Sequence, residues 1–333
     1  MKISVVIPTL AADEALEACL QSLASQQASD FDFETIVVDN SGGKAQARRL
    51  TSDRVRVIEN AGGNTGYGGG VNRGIAESTG DWILALNDDT TLSPDCLARM
   101  LRAASERREI GMCAPLIVRS TGDVDSAGGM LIAPDGTSKQ RGQGRPPAEF
   151  PRNQEVLLPS GCAALYKREM LDEVGLFEES YFLYCEDTDL GLRARRRAWE
   201  CVYAANARVE HRYSHSSGVA SALKAYYVER NRLRTIVRNF PLRDLLLSPF
   251  HTAIRYWWHL RFRGRGKGTA AQYQGSGGSL AWIALRAWKD TLIELPKLWK
   301  QRRTIQQTAR LAPKQFSRLL SGYRITSKQV AEL

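Results

Sequence analysis

The stretch Trp82-Ile83-Leu84-Ala85-Leu86-Asn87-Asp88-Asp89 runs from five apolar residues directly into an amide and two carboxylates. The apolar run predicts a buried strand that ends before Asn87. Adjacent carboxylates repel each other unless a positive charge lies beside them. A hard divalent cation shared with substrate phosphates would supply that charge, and ligands of open α/β sheets bind at the carboxyl ends of strands. A solvated turn in which one aspartate caps the next element is the alternative.

Strands and helices alternate along the first third of the chain. β-Branched and apolar runs predict strands at residues 3–7, 34–38, 55–58, 82–86 and 110–118. Apolar residues between 16 and 23 recur at helical spacing, and Ser93-Pro94 predicts another helix start. This alternation is typical of an α/β fold with a mostly parallel, doubly wound sheet.

The pattern is less regular after residue 120. Residues 133–154 contain several prolines and glycines without periodicity, which predicts a long loop. Strands are predicted at 157–165 and 201–204, with a short helix at 167–174 between them. From residue 218 to the end we expect helices.

Charge is distributed unevenly. Residues 218–333 contain 22 Lys+Arg and 5 Asp+Glu, a net charge of +17, so the remainder of the +10 chain carries −7. An acidic body with a basic tail suggests that the tail faces an anionic surface. The six scattered cysteines, and a chain that begins within a strand without room for a signal peptide, lead us to expect a cytoplasmic protein. No apolar run reaches the length of a membrane span.

Two further features suggest a nucleotide site. Asp39 closes the second predicted strand, where a carboxylate can accept from a ribose hydroxyl or a base N–H, or simply form an Asx turn. The glycine-rich residues 60–70 precede a helix predicted at about 71–78, so backbone can approach a phosphate at a helix N-terminus. The glycine spacing does not fit the dinucleotide pattern, which disfavours an oxidoreductase.

A second acidic cluster lies far along the chain. Glu186, Asp187 and Asp189 occur at the predicted start of a helix, where one of them should have a raised pKa suited to a general base. Simple helix capping is the alternative. His211 follows the next predicted strand; alone such a histidine is more often structural, but beside two acidic sites it could complete a metal site.

Five motifs occur in a recognisable order. They are Pro8-Thr9 after a strand, Val37-Val38-Asp39-Asn40, Asn64-x-Gly66-Tyr67-x-x-Gly70-x-Asn72-x-Gly74, Leu86-Asn87-Asp88-Asp89, and Phe182-Leu183-Tyr184-Cys185-Glu186-Asp187-Thr188-Asp189-Leu190 with Arg193. Over residues 1–240 the chain resembles family 2 glycosyltransferases of the GT-A fold. Within them it is most similar to bacterial rhamnosyltransferases that build O-antigen and cell-wall polysaccharide.

The resemblance implies roles for individual residues. Asp187 matches the catalytic base, and Asp89 and His211 match ligands of a Mg²⁺ or Mn²⁺ cofactor. The implied donor-binding residues are Pro8, Thr9, Asp39, Asn64, Gly66, Asn72, Arg73, Asp88 and Asp89. Asn87 departs from the Asp-x-Asp motif of the family, which makes Asp89 the more secure ligand and Asp88 the weaker.

The resemblance also implies an activity and a domain division. We expect an inverting transferase that moves L-rhamnose from dTDP-rhamnose to a lipid-linked glycan. The alternatives are another donor such as UDP-galactofuranose or a UDP-hexose, and a non-catalytic module that binds sugar nucleotides or glycans. Residues 1–120 would form the nucleotide-sugar half of the GT-A domain, 121–217 the acceptor and catalytic-base half, and 218–333 a basic helical region.

Basic and aromatic residues are interleaved in the tail. This pattern fits amphipathic helices on an anionic membrane face, where an acceptor linked to polyprenyl diphosphate would lie. We therefore expect a peripheral protein of the inner membrane face. Aromatic residues in the core with solvated charges around them are the alternative. Nucleic-acid binding is not expected, because the body is acidic and nucleic-acid motifs are lacking.

Overall fold

The computed structural model describes residues 1–212, 221–266, 268 and 277–332. The strands are β1 (Lys2–Thr9), β2 (Asp32–Asp39), β3 (Val55–Glu59), β4 (Trp82–Leu86), β5 (Thr90–Leu92), β6 (Ile110–Arg119), β7 (Val124–Ala127), β8 (Met130–Ile132), β9 (Ser138–Gln140), β10 (Gln154–Val156), β11 (Ala163–Lys167) and β12 (Glu200–His211). The helices are α1 (Glu14–Ala24), α2 (Gly66–Ala76), α3 (Cys96–Ala104), α4 (Arg168–Val174), α5 (Glu186–Arg196), α6 (Ala222–Asn239), α7 (Leu242–Arg263), α8 (Gly277–Ile293), α9 (Leu295–Gln307), α10 (Pro313–Gly322) and α11 (Ser327–Glu332).

One large sheet organises the first 211 residues. Its strand order is β10-β12-β6-β11-β4-β1-β2-β3, with β5 paired to β12 and β7 to β6. The pairs β1–β2, β1–β4, β2–β3 and β6–β12 are parallel, whereas β11 is antiparallel to both of its neighbours. The predicted α/β fold with a mostly parallel sheet is confirmed.

Helices cover both faces of this sheet. Alternate residues of a strand point to opposite faces, so Val5 packs with α1 and α3, while Val6 packs with α2, α4 and α5. Every residue of β4 is buried. Strands that are covered on both faces have continuous apolar sequences. This is why the apolar residues 82–86 predict a buried strand of the sheet.

The glycine-rich segment differs from its prediction. Its glycines 66–70 form the first turn of α2 rather than a loop. A Cβ on Gly66, whose φ is +79°, would lie 1.9 Å from the carbonyl oxygen of Phe182, and one on Gly74 would lie 2.2 Å from Val6 Cγ1. These glycines therefore allow α2 to pack closely against β1 and against the segment that precedes α5.

Two more predictions are corrected between residues 133 and 165. The predicted loop contains β9, which pairs with β8 as a hairpin, and ends in β10. The strand predicted at 157–165 begins only at Ala163, because residues 157–162 leave the sheet between β10 and β11. Of these short strands, β10 has no local pairing signal, because its partner β12 lies far along the chain.

The helices predicted after residue 218 are present as α6 to α11 within the described residues. The predicted boundary between residues 217 and 218 lies outside those residues. None of the helices in the described ranges is both long and apolar enough to cross a membrane.

A buried carboxylate joins the C-terminal helices to the sheet domain. Asp189 of α5 is fully buried and accepts from Arg193 Nε at 2.9 Å and from Asn239 Nδ2 at 2.8 Å, with Arg238 Nε at 3.3 Å. Burial raises the pKa of Asp189, but Arg238 and Arg193 lower it by more, so the pKa lies below its ordinary value. The carboxylate is therefore charged and shared between α5 and α6.

We expect Asp189→Asn to destabilise the protein by about 3–5 kcal/mol, because it leaves two buried arginines without their counter-charge. Urea unfolding at neutral pH measures this loss. Glu149→Gln is the control, since it breaks an exposed ion pair with Arg145 and should cost less than about 1 kcal/mol. Equal losses in the two variants would show that Asp189 does not hold the helices.

Candidate active site

Three neighbouring strands end at one edge of the sheet. Strands β4, β1 and β2 lie side by side in parallel, and Thr9 pairs with Asp39. Asp39 is fully buried; its Oδ1 accepts from the Ser41 N–H at 3.0 Å and the Ser41 hydroxyl at 2.6 Å. Its Oδ2 is buried without a hydrogen-bond partner among the described residues. That oxygen can accept from a ligand N–H or O–H, as predicted for a nucleotide.

The predicted donor-binding residues of the glycine-rich segment are anchored to their surroundings. Asn64 Oδ1 accepts from Gly66 N at 2.8 Å, which fixes the start of α2. Asn72 bonds both the N–H and the carbonyl of Phe177, at 3.1 and 2.9 Å. Arg73 pairs with Glu77 at 3.0 Å on the outer surface of α2. This segment thus joins the Asp39 edge to the segment before α5.

Pro8 and Thr9 lie between the glycine-rich segment and Asp88 and Asp89, the two acids that follow β4. A Cβ on Gly70 would lie 2.8 Å from Pro8 Cβ, so α2 packs directly on the end of β1. Burial, with the charge of Asp89, raises the pKa of Asp88 to about 6 despite a hydrogen bond from Thr9 that lowers it. The predicted repulsion between Asp88 and Asp89 is therefore present, and a cation would relieve it.

Asp89 and His211 are brought together by strand pairing. β5 pairs with the end of β12, which puts Thr90 opposite His211. Asp89 Oδ1 lies 3.3 Å from His211 Nε2, and the Asp89 carbonyl accepts from Arg212 N at 2.9 Å. Two groups predicted as metal ligands from positions 122 residues apart thus face each other.

Asp125 of β7 orients the histidine, and sequence reasoning missed it. Its Oδ2 lies 3.0 Å from His211 Nδ1, and the side chain is buried. An imidazole that donates Nδ1–H to a carboxylate presents Nε2 to a metal ion. The only sequence signal was a charged residue inside a short strand, and nothing local linked it to His211.

The electrostatics of His211 fit a cation site. Burial lowers the pKa of His211, whereas Cys162 and hydrogen bonds to Asp125 and Asp89 raise it by more, above its ordinary value. A raised pKa keeps a second proton on the imidazole, and a bound cation would take the place of that proton. In the described part of the chain no three His, Cys, Asp or Glu side chains are grouped to hold a metal ion by themselves. Asp89 and His211 instead suit Mg²⁺ or Mn²⁺ that takes its remaining ligands from water and a substrate diphosphate.

Asp187 is held at the start of α5. Its Oδ2 accepts from Gly161 N at 2.8 Å and its Oδ1 from Thr188 N at 2.6 Å. Burial raises the pKa of Asp187, and these hydrogen bonds lower it only in part. Phe182, Tyr184 and Cys185 all have φ between 64° and 68°, a left-handed strain that is typical of functional sites.

The three acids of the second cluster have different environments. Burial and the charge of Asp187 raise the pKa of Glu186 to about 8, and Glu186 Oε2 has no hydrogen-bond partner among the described residues. Asp189, in contrast, forms buried ion pairs with Arg193 and Arg238. Asp187 is therefore the member that combines a raised pKa with fixed geometry.

Residues 159–162 connect these sites. Gly161 N donates to Asp187, and the Gly161 carbonyl accepts from the Tyr67 hydroxyl of α2. The next carbonyl, of Cys162, accepts from Asn87 N at 2.9 Å. One peptide segment thus binds the base candidate Asp187, helix α2 and Asn87, which directly precedes Asp88 and Asp89. The sequence pattern predicts this segment as part of a continuous strand over 157–165, whereas the strand begins only at Ala163.

Comparison with solved structures identifies the class of fold. The structure of GalNAc-T7 with UDP, GalNAc and Mn²⁺ superposes with a TM-score of 0.59 at 14% identity, over 86% of this chain and 54% of that one. The chain thus spans about half the length of that protein. A mannosyltransferase from Pyrobaculum calidifontis, in complex with GDP-Man and Mn²⁺, gives 0.53 at 15% identity over 92% and 85%. The fold is therefore GT-A.

The family follows from sequence comparison. The model described as Glycosyl transferase family 2 matches residues 4–175, and this chain belongs to that family. It is 33% identical over 254 residues to the N-acetylglucosaminyl-diphospho-decaprenol L-rhamnosyltransferase of Mycobacterium tuberculosis, which covers 67% of this chain and 80% of that protein. The predicted resemblance to the rhamnosyltransferase-like group is confirmed.

We expect Glu186→Gln to stabilise the protein at about pH 9 and to leave its stability nearly unchanged at about pH 4, below the ordinary pKa of the group. The folded-state pKa of about 8 lies above the ordinary 4.5, so the stability of the wild type falls as pH rises from 4.5 to about 8 and levels off above that. At about 1.4 kcal/mol per pKa unit the gain is a few kcal/mol. Unfolding at several pH values measures it, with Glu149→Gln as the charge control. A gain independent of pH would contradict the raised pKa.

Proposed function

We propose that this glycosyltransferase is an inverting, metal-dependent enzyme that moves L-rhamnose from dTDP-rhamnose to a hydroxyl of a lipid-linked glycan. The observation that carries the proposal is the hydrogen-bonding of residues 161–162 to both the base candidate Asp187 and the strand-4 segment at Asn87. A proton acceptor and a cation site held by one peptide segment suit a single displacement.

Donor binding is assigned to the edge formed by β1, β2 and β4. The unpartnered Asp39 Oδ2 would accept from the pyrimidine base, with Pro8 and Thr9 lining the same pocket. Asn64, Gly66, Asn72, Arg73 and Asp88 would border the nucleotide sugar. When bound at Asp89 and His211, Mg²⁺ or Mn²⁺ would neutralise charge on the diphosphate leaving group.

Asp187 would act as the base. Its carboxylate accepts the proton of the acceptor hydroxyl while that oxygen bonds to the anomeric carbon, and the bond from that carbon to the donor diphosphate breaks. Attack occurs on the face opposite the leaving group, so one displacement inverts the centre. Hydrogen bonds from Gly161 and Thr188 keep the carboxylate in one orientation throughout.

The choice of donor and acceptor rests on the Mycobacterium tuberculosis relative, whose name specifies rhamnose and a diphospho-decaprenol acceptor. Residues 1–120 would supply the donor half and 121–217 the acceptor half with the base. Residues 218–333 would support the acceptor side.

We expect the protein to transfer rhamnose from dTDP-rhamnose to a polyprenyl-diphosphate-linked glycan, and to lose this activity in EDTA until Mg²⁺ or Mn²⁺ is restored. Product formation from a panel of dTDP, UDP and GDP sugars is measured. Asp187→Asn should reduce transfer by at least about 100-fold and change dTDP affinity less than about twofold.

The control is Asp30→Asn, which changes an exposed aspartate by the same atoms. Turnover of Asp187→Asn at the wild-type rate would remove Asp187 from the base role. Equal activity with and without EDTA would show that the reaction needs no metal ion. Transfer from a UDP sugar alone would show that the donor is not dTDP-rhamnose.

We further propose that helix α7 rests on an anionic membrane face, on the inner side of the plasma membrane. Leu246, Phe250, Trp257 and Leu260 recur at helical spacing on one side and are each more than half exposed. Arg243 and Arg261 border this stripe, and the Arg261 guanidinium lies 5.6 Å from the Trp257 ring centroid. Apolar side chains framed by arginines complement an anionic lipid surface.

We expect Phe250→Ser with Trp257→Ser to weaken binding to phosphatidylglycerol-containing vesicles by at least about tenfold, since each ring loses its burial in lipid. Vesicle co-sedimentation measures this. Leu176→Ser, at an exposed leucine of the sheet domain, is the control. Unchanged binding of the double variant would place the membrane contact elsewhere.

A further inference from the structure

A cleft of about 280 Å³ lies between α7, α10 and the end of β8. Its lining includes the buried apolar side chains of Ile132, Phe240 and Leu320. Its lining also includes four charged residues, which are Arg243 and Asp244 of α7, Arg318 of α10, and Arg324, which follows α10. The volume is close to the roughly 300 Å³ at which small-molecule sites begin. The cleft is therefore large enough to receive part of a ligand.

Direct contacts hold the walls of this cleft together. Ser317 Oγ donates to Asp244 Oδ2 at 2.5 Å and so joins α10 to α7. Ile132 N donates to the carbonyl of Tyr323, and Ile325 N donates to the carbonyl of Ile132, both at 3.1 Å. These two bonds join the end of β8 to the segment that follows α10. The protein's own contacts therefore fix the cleft, as in most small-molecule sites, and a ligand would not need to assemble it.

Positive charge is in excess at the cleft. Arg243, Arg318 and Arg324 line it, and Asp244 is the only acidic side chain among its lining residues in the described part of the chain. All three arginines are exposed, and within the described ranges none of their guanidinium groups makes an ion pair or a hydrogen bond. Like charges that line one cleft repel one another, and a bound anion relieves that repulsion.

The chemistry of the lining favours an anion that carries hydrocarbon. A guanidinium group presents paired N–H donors that match the oxygens of a phosphate, and it is less strongly hydrated than an ammonium group. The apolar side chains of the same cleft would gain nothing from a free phosphate ion, whereas the hydrocarbon of a lipid would bury apolar surface against them. Exposed cations beside an apolar lining therefore suit a lipid phosphate.

The cleft lies beside the apolar stripe of α7. Arg243, Leu247 and His251 recur at every fourth position of the helix, and all three line the cleft. Leu246 and Phe250 of the stripe each precede one of these residues by one position. One position corresponds to about 100° around a helix. The cleft and the stripe are therefore on neighbouring faces of α7, and a lipid in contact with the stripe would meet the cleft.

We propose that this cleft binds the phosphate headgroup of an anionic membrane phospholipid such as phosphatidylglycerol. Arg318 and Arg324 would contact the phosphate together with Arg243, and the apolar lining would contact the beginning of the acyl chains. The proposal rests on the membrane contact of α7 described under the proposed function, and it adds a headgroup-selective site to that contact. An apolar stripe alone would accept zwitterionic and anionic lipids alike, whereas the cleft selects the anionic ones.

The first test is binding of dihexanoyl-phosphatidylglycerol as a monomer, below the concentration at which it forms micelles, measured by calorimetry. Arg318→Gln and Arg324→Gln should each weaken binding about five- to tenfold, because each removes one cation from the phosphate. Arg303→Gln, at an exposed arginine of α9 outside the cleft, is the matched control and should retain binding. Undetectable binding by the wild type, or equal weakening in the control, would overturn the proposal.

Two other ligands distinguish a lipid site from simple attraction of anions. Inorganic phosphate and dihexanoyl-phosphatidylcholine should each bind at least about tenfold more weakly, since the first lacks hydrocarbon and the second carries a compensating positive charge. Leu247→Ser, at an exposed leucine of the cleft, should weaken binding of the phosphatidylglycerol and leave that of phosphate unchanged. Equal binding of inorganic phosphate would overturn the lipid assignment, and equal binding of the phosphatidylcholine would overturn the headgroup selectivity.

A third test separates the cleft from the stripe and from the acceptor. Trp257→Ser should weaken binding to phosphatidylglycerol vesicles and leave binding of the monomeric lipid unchanged; loss of monomer binding in this variant would assign the lipid to the stripe and overturn the proposal. A raised KM for the lipid-linked acceptor in the Arg318→Gln variant, measured in detergent free of phospholipid, would assign the cleft to the acceptor and overturn it too. If the wild type does not bind vesicles, the proposed membrane contact fails, whereas arginine-dependent binding of the monomer still supports the cleft.

Discussion

The hydrogen bond from the Gly161 N–H to Asp187 is the contact on which the candidate site depends. It joins a segment that enters β11, next to β4, to the first turn of α5. A Cβ on Gly161 would lie 3.3 Å from Asp187 Oδ2, so a side chain at this position would crowd the carboxylate. Because the adjoining peptide binds Asn87, the separation between the candidate base Asp187 and the acids that follow β4 is set by backbone rather than by flexible side chains.

The acidic cluster shows how neighbouring residues acquire different chemistry. Glu186 is buried, and its Oε2 has no hydrogen-bond partner in the described part of the chain; Asp187 faces backbone donors, and Asp189 faces two arginines. Helical geometry turns successive residues by about 100°, so three nearby acids meet three surroundings. An ionised Asp189 secures the C-terminal helices, which leaves Asp187 available for the base role that we propose. Structural and reactive roles are thus separated within a single turn.

Local sequence signals predicted most of the sheet and the residues at its strand ends. Residues 82–86 are buried on both faces, so their apolar composition alone predicts a central strand. Asp125 and Ser160 could not be found in this way, because their partners His211 and Gln140 lie in other elements and depend on how the strands pair. The loop predicted for the glycine-rich segment is wrong for a related reason. Its glycines are needed because a side chain there would clash with Phe182 or Val6, which are distant in sequence.

The basic tail needs the same distinction between local pattern and tertiary placement. Its net charge suggested an anionic surface, yet Arg232, Arg234, Arg238 and Arg255 are buried and bind carboxylates. These arginines hold the helices together and to the sheet domain, so they contribute little to attraction at a distance. The surface field comes from exposed residues such as Arg243 and Arg261, which frame the apolar stripe of α7. Tail charge thus divides between a buried part that fixes α7 in place and an exposed part that can face lipid. The proposed membrane binding should therefore depend on salt through the exposed basic residues, because buried pairs are screened far less.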